Sequence, residues 1–162
     1  MSQGMLADAT TAAERTRATA ELPSRVPALT VVSHPLAHRV GERLMLDGLA
    51  RGGSVRLTRN APDFLRPGVP LSQPLADPFV SRRPLVFSSG PEGAVRLLVE
   101  EGGTRVVAGE PLEGLWEFGP EELSSGVPLE LSGRVLLLLH LLRVEATPPL
   151  DTLGMEIGRA HV

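Results

Sequence analysis

Prolines and glycines interrupt this chain so often that little room is left for a long helix. Fifteen Pro and seventeen Gly are spread through its 162 residues, and inside a helix each costs about 1–3 kcal/mol relative to Ala. From Ala28 onward the texture is short apolar runs separated by Gly and Pro, as in a sandwich or barrel. The candidate strands are 29–33, 43–46, 54–59, 85–88, 94–99, 105–108, 115–118, 127–131 and 134–143. Within 54–59, Val55 and Leu57 fall on one side while Arg56 and Thr58 fall on the other, which is the period-two alternation of a half-buried strand. The expected fold class is all-β, a sandwich of short antiparallel strands.

One short helical turn is expected at 119–123. Pro120 takes the first helical position, Glu121 and Glu122 fill the positive end of the dipole, and Gly126 stops it. The run 135–142 is apolar except for His140. Eight residues are far short of the roughly 20 that span a bilayer as a helix. Because the run is apolar at odd and even positions alike, it reads as a central closing strand buried on both sides.

The chain divides by composition. Residues 1–27 are rich in Ala, Thr, Ser, Arg and Glu without sustained periodicity, and read as a disordered leader with no stretch apolar enough for a signal peptide. Residues 28–145 carry the strands, and 146–155, with Pro148 and Pro149, read as a linker to a missing downstream domain. Residues 156–162 stand apart: Ile157 is the only Ile in the chain. Back-translated as GAG ATC GGA AGA GCA CAC GTC, the seven spell a common short-read sequencing adapter. An ordinary polar tail is the plain alternative. On the adapter reading they are a non-native tail, and the natural protein continues past Met155.

Composition excludes several function classes. No Cys is present, so there is neither a disulfide framework nor a thiolate metal site, and a reducing cytoplasm is the natural setting. Every basic residue apart from the four His is Arg, which removes phosphate-loop, Schiff-base and general-base lysines together. A net charge of −3 lacks the clustered positive surplus of a nucleic-acid footprint. The chain is expected to be soluble, with no membrane partner and no direct contact with nucleic acid.

The distinctive segments are Val55-Arg56-Leu57-Thr58-Arg59, then Asp77-Pro78-Phe79-Val80-Ser81-Arg82-Arg83-Pro84-Leu85, then Gly102-Gly103-Thr104-Arg105. Their order over roughly 29–143 resembles the forkhead-associated (FHA) domain. In that family a strand ends in Gly-Arg, a loop leads to Ser-Arg-x-His, and a Ser-x-Asn-Gly turn precedes the last strands. The resemblance implies an FHA-like β-sandwich that binds phosphothreonine peptides through loops at one end, without a cofactor and without enzymatic activity. It assigns the phosphate-contacting Arg to Arg59, the hydrogen-bonding Ser to Ser81 and the next residue to Arg82, with Arg105 as a further candidate phosphate contact. A guanidinium fork with a hydroxyl suits a dianionic group with several acceptor oxygens. Thr58 stands where the family has Gly, Pro84 where it has His, and the Asn-Gly is missing at 103–105. The plainer readings are a loop salt bridge for Arg59, a turn hydroxyl for Ser81 and a solvated strand residue for Arg105.

The segment from Asp77 to Leu85 looks like the variant at the N-terminus of sigma-54-dependent transcriptional activators, where the FHA module precedes a AAA+ ATPase and a DNA-binding helix-turn-helix. On that reading the partners are a phosphorylated protein or peptide and the downstream ATPase. The alternative is a degenerate FHA scaffold for protein–protein interaction or dimerisation. Other constellations are weaker. Pro35 lies between His34 and His38 and spoils a helical metal face, so no metal site is expected. Ser81, His34 and Asp77 make a triad only on paper, because no Gly-x-Ser-x-Gly elbow is present. His140 reads as a core or edge histidine.

Overall fold

The computed structural model describes residues 24–144, within which Val26–Leu142 gather into one compact unit. The expected leader through residue 23, the linker and the 156–162 tail lie outside the described residues. Twelve strands follow in chain order among the described residues. They are β1 (Ser24–Ser33), β2 (Arg43–Met45), β3 (Ser54–Leu57), β4 (Phe64–Leu65), β5 (Ser72–Gln73) and β6 (Leu85–Ser89). Then come β7 (Val95–Val99), β8 (Val106–Val107), β9 (Pro111–Leu112) and β10 (Gly114–Phe118). Helix α1 (Pro120–Ser125) precedes β11 (Val127–Leu131) and β12 (Val135–Val144).

The fold is an all-β sandwich. One sheet has the order β5-β4-β2-β1-β12-β11-β8-β9, the other β10-β7-β6-β3. Antiparallel registers include Leu29↔Leu44, Leu129↔Leu137, Val55↔Phe87 and Trp116↔Leu97. Inward-facing residues of both sheets form one core: Leu29, Val31, Leu137 and Leu139 from the first, Leu57, Phe87 and Leu97 from the second. With few aromatics in the chain, Leu and Val fill most of it, each large side chain contributing about 1.5–3 kcal/mol on burial.

Every expected strand is found; 127–131 keeps its bounds and the others shift at one or both ends. The first begins at Ser24, and ahead of the expected start its Pro27 carbonyl already accepts the Leu46 amide at 2.8 Å. The third stops at Leu57, since Thr58 turns the chain: its Oγ accepts the amides of Asn60 and Ala61 at 3.1 and 3.2 Å. Arg59 therefore lies beyond the strand, in the turn. The expectation for the run 135–142 needs correction. It is central in its sheet, but only Val135, Leu137 and Leu139 are buried, while Leu136, Leu138 and His140 on the outer face are half-buried. The second sheet covers one side only. His140 accordingly sits neither in the core nor on an edge strand, but on that outer face, hydrogen-bonded to the Thr30 hydroxyl at 2.7 Å.

Helix α1 forms where expected. The Glu122 carboxylate accepts the Gly119 amide at 3.1 Å, and the Gly126 amide returns to the carbonyls of Glu122 and Leu123. Gly126 has a φ of 92°, and a Cβ there would lie 3.0 Å from Leu138 Cδ1. Both the backbone and the neighbour require glycine.

Candidate functional site

The connection from β3 to β6 carries three of the expected site residues, Arg59, Ser81 and Arg82, and a buried ionic knot holds it against the sandwich. Arg39 is 1 % exposed and bonds Glu42 through Nε at 2.7 Å. Its terminal nitrogens donate to the carbonyls of Pro74 and Leu75 at 2.7 and 3.1 Å. His34 donates from Nε2 to the same Leu75 carbonyl at 3.1 Å, and its Nδ1 accepts the Leu36 amide at 3.0 Å. Both ring nitrogens are thus occupied, and Ser81, His34 and Asp77 do not assemble into a hydrogen-bonded triad. A buried guanidinium is tolerated because a carboxylate and backbone carbonyls satisfy its donors.

Further along, the chain is drawn toward three other loops. The Ala76 amide donates to the Arg59 carbonyl at 2.9 Å, and the Arg59 amide to the Ser81 carbonyl at 3.3 Å. Next, the Ser81 amide donates to Thr104 Oγ1 at 2.7 Å, with Thr104 itself 3 % exposed. Arg105 follows, and its carbonyl accepts the Ser132 amide at 2.8 Å. The Ser132 hydroxyl returns to the Phe79 carbonyl at 2.8 Å, closing the circuit. Asp77, 2 % exposed, caps the Phe79 amide at 2.9 Å and pairs with Arg134 Nε at 3.0 Å. Arg134 in turn lies 4.5 Å above the Phe79 ring. Four chain segments, around 59, 77–83, 102–105 and 132–134, are therefore linked by hydrogen bonds.

The arginines of this end are not equivalent. Arg134 is neutralised by Asp77. Arg83 donates to the Glu101 carbonyl at 2.6 Å and lies against Gly102, where a Cβ would come within 2.9 Å of its guanidinium. Arg59, Arg82 and Arg105 have no side-chain hydrogen bond or ion pair among the described residues. Arg82 and Arg105 are exposed, while Arg59 is half-buried with its Nε shielded from water and unpartnered. Ser81 Oγ accepts the Arg83 amide at 2.9 Å, which leaves the hydroxyl hydrogen free to donate.

Placed side by side, Arg59 and Ser81 are joined through the backbone, and Arg105 is one residue from the Thr104 that holds Ser81. Arg105 also lines a cavity of about 590 Å³ with Glu100, Glu101 and Glu113. The anchoring roles of Arg39, Glu42, Thr104 and Arg134 carry no mark in the sequence pattern, although Thr104 falls within a distinctive segment. Their signal is a polar side chain beside an apolar run, which in one sequence looks like any solvated loop. His38 is exposed, away from the bonded His34. No family model, curated protein or solved structure matches the chain.

Proposed function

We propose that this module is a signal-input domain that captures a phosphothreonine-bearing protein segment and thereby regulates an attached sigma-54-dependent transcription activator. One observation carries the reading. Arg59 and Ser81, distant in sequence, are tied together through the backbone, with a guanidinium that makes no hydrogen bond or ion pair among the described residues on one and an uncommitted hydroxyl hydrogen on the other. A phosphate monoester has the acceptors that such donors lack, and each charge-assisted bond contributes about 1.5–3 kcal/mol before desolvation of the Arg. Arg82 and Arg105 add positive charge at the approach. The attached ATPase rests on the resemblance of the 29–143 module, its Asp77–Leu85 segment above all, together with the Pro-rich linker that follows it.

Calorimetric titration with a degenerate phosphothreonine peptide library, and with its unphosphorylated counterpart, tests the proposal. The phosphorylated library binds and the other does not; Arg59→Ala weakens binding about tenfold or more. The competing reading is a scaffold that has lost phosphate binding. It is favoured by the Ser81 oxygen already accepting the Arg83 amide, together with Pro84 and the missing Asn-Gly. Equal or absent binding of both libraries selects the scaffold.

A further inference from the structure

The loop end makes no use of the long apolar run 135–142, which shapes a different surface. On the outer face of the eight-stranded sheet, Leu136 and Leu138 of β12 lie with Val32 of β1, Met45 of β2 and Leu65 of β4. Val32 and Leu65 are 44 % and 51 % exposed. A sheet face turned to water ordinarily alternates to polar residues, and here the central strands place only the bonded pair Thr30 and His140 among apolar side chains.

Two opposite charges on the strands interrupt the apolar surface, Arg43 on β2, beside a surface pocket that Asp47 and Asp63 also line, and Glu130 on β11. The order β2-β1-β12-β11 separates them by three strand spacings, about 14 Å. They are offset along the strands as well. Arg43 lies opposite Thr30, which bonds His140, whereas Glu130 lies opposite Leu136. Four residues of β12 amount to about 13 Å. The two charges do not meet within one chain. Neither has a side-chain hydrogen bond or ion pair among the described residues.

We propose that this face is an isologous interface with a second copy of the same chain. A two-fold axis lying between the facing sheets brings Arg43 of each copy onto Glu130 of the other, forming two equivalent ion pairs around an apolar centre at Leu138. The offsets across and along the strands are nearly equal, so the axis runs at about 45° to them. The sheets then cross close to a right angle, one of the two favoured modes of sheet-on-sheet packing. A partner of single charge would leave either Arg43 or Glu130 unmatched, whereas a second copy matches both. The apolar centre is small for an obligate dimer, which places the association in the weak, reversible class.

Sedimentation equilibrium of the full chain, from low micromolar to about millimolar concentration, tests the interface. The expected result is a monomer–dimer equilibrium that Arg43→Glu or Glu130→Arg weakens about tenfold or more. The double reversal Arg43→Glu/Glu130→Arg restores it to within about threefold of the original. Leu138→Asp, with folding checked by circular dichroism, abolishes the dimer. A chain that stays monomeric throughout overturns the proposal, as does a dimer insensitive to the single reversals or not rescued by the double one.

Discussion

Arg39 lies against the connection between β3 and β6 and Arg59 within it, and they are used in opposite ways. Arg39 is buried with Glu42 on its Nε and backbone carbonyls on its terminal nitrogens. Arg59 is half-buried, and its Nε has no acceptor. The first guanidinium is committed to shaping the connection. The second is held in place by its backbone, through Ser81 and Ala76, while its side chain is left uncommitted. The contrast separates a residue that builds the fold from one available to a ligand, although their chemistry is the same.

Arg39→Met is the strongest way to break this contrast. It leaves the buried Glu42 carboxylate without its charge partner and the Pro74 carbonyl without its donor, while Leu75 keeps only His34, and should cost about 3–5 kcal/mol in denaturant unfolding. A loss below about 1 kcal/mol would show that the knot does not hold the connection. Thr104→Val comes next. It removes the acceptor of the Ser81 amide and should cost about 1–3 kcal/mol, with a parallel fall in phosphopeptide affinity if Thr104 positions the loop. Arg59→Ala should change stability by no more than about 0.5 kcal/mol; a larger loss would place Arg59 with Arg39 among the fold-building residues.

His140 supplies the smallest test, away from both arginines. Burial pushes its pKa below the ordinary 6.5; a backbone hydrogen bond at Leu141 opposes this, and the nearby Arg43 charge adds to it. The unfolded chain therefore binds the proton more tightly than the folded one. The neutral ring's contribution to stability is full above about pH 6.5 and is lost as pH falls from there through the folded-state value. His140→Gln should flatten the slope of melting temperature between pH 7 and about pH 5. An unchanged slope would assign that pH dependence to other groups.

The strands were legible because their signal is local. In Val127–Leu131 and Val95–Val99 alternate residues are buried, and Gly or Pro marks where such runs stop. The pairs Phe64–Leu65, Ser72–Gln73 and Pro111–Leu112 went unseen, since two residues carry no period and their pairing depends on where distant strands fall. Period also misled at the run 135–142. An apolar outer face can mean burial within the chain or a surface awaiting a partner, and the pattern is the same for both. At the loop end, Arg59 and Ser81 were singled out by motif. Their anchoring was not legible, because Thr104 meets Ser81 across 23 residues and Arg134 meets Asp77 across 57. A Thr before a strand and an Asp before a Pro look like ordinary turn residues until the sheets bring them together.

The central claim is that the tied pair Arg59 and Ser81 receives a phosphate that the Arg39 knot does not. Two-dimensional amide NMR of the labelled chain, titrated with phosphothreonine peptide and then with the unphosphorylated peptide, reads both places at once. The account predicts large saturable shifts at Arg59, Ser81, Arg82 and Arg105 with the phosphorylated peptide only, and none at Arg39 or Glu42. Equal shifts with both peptides, or shifts centred away from Arg59 and Ser81, would contradict it.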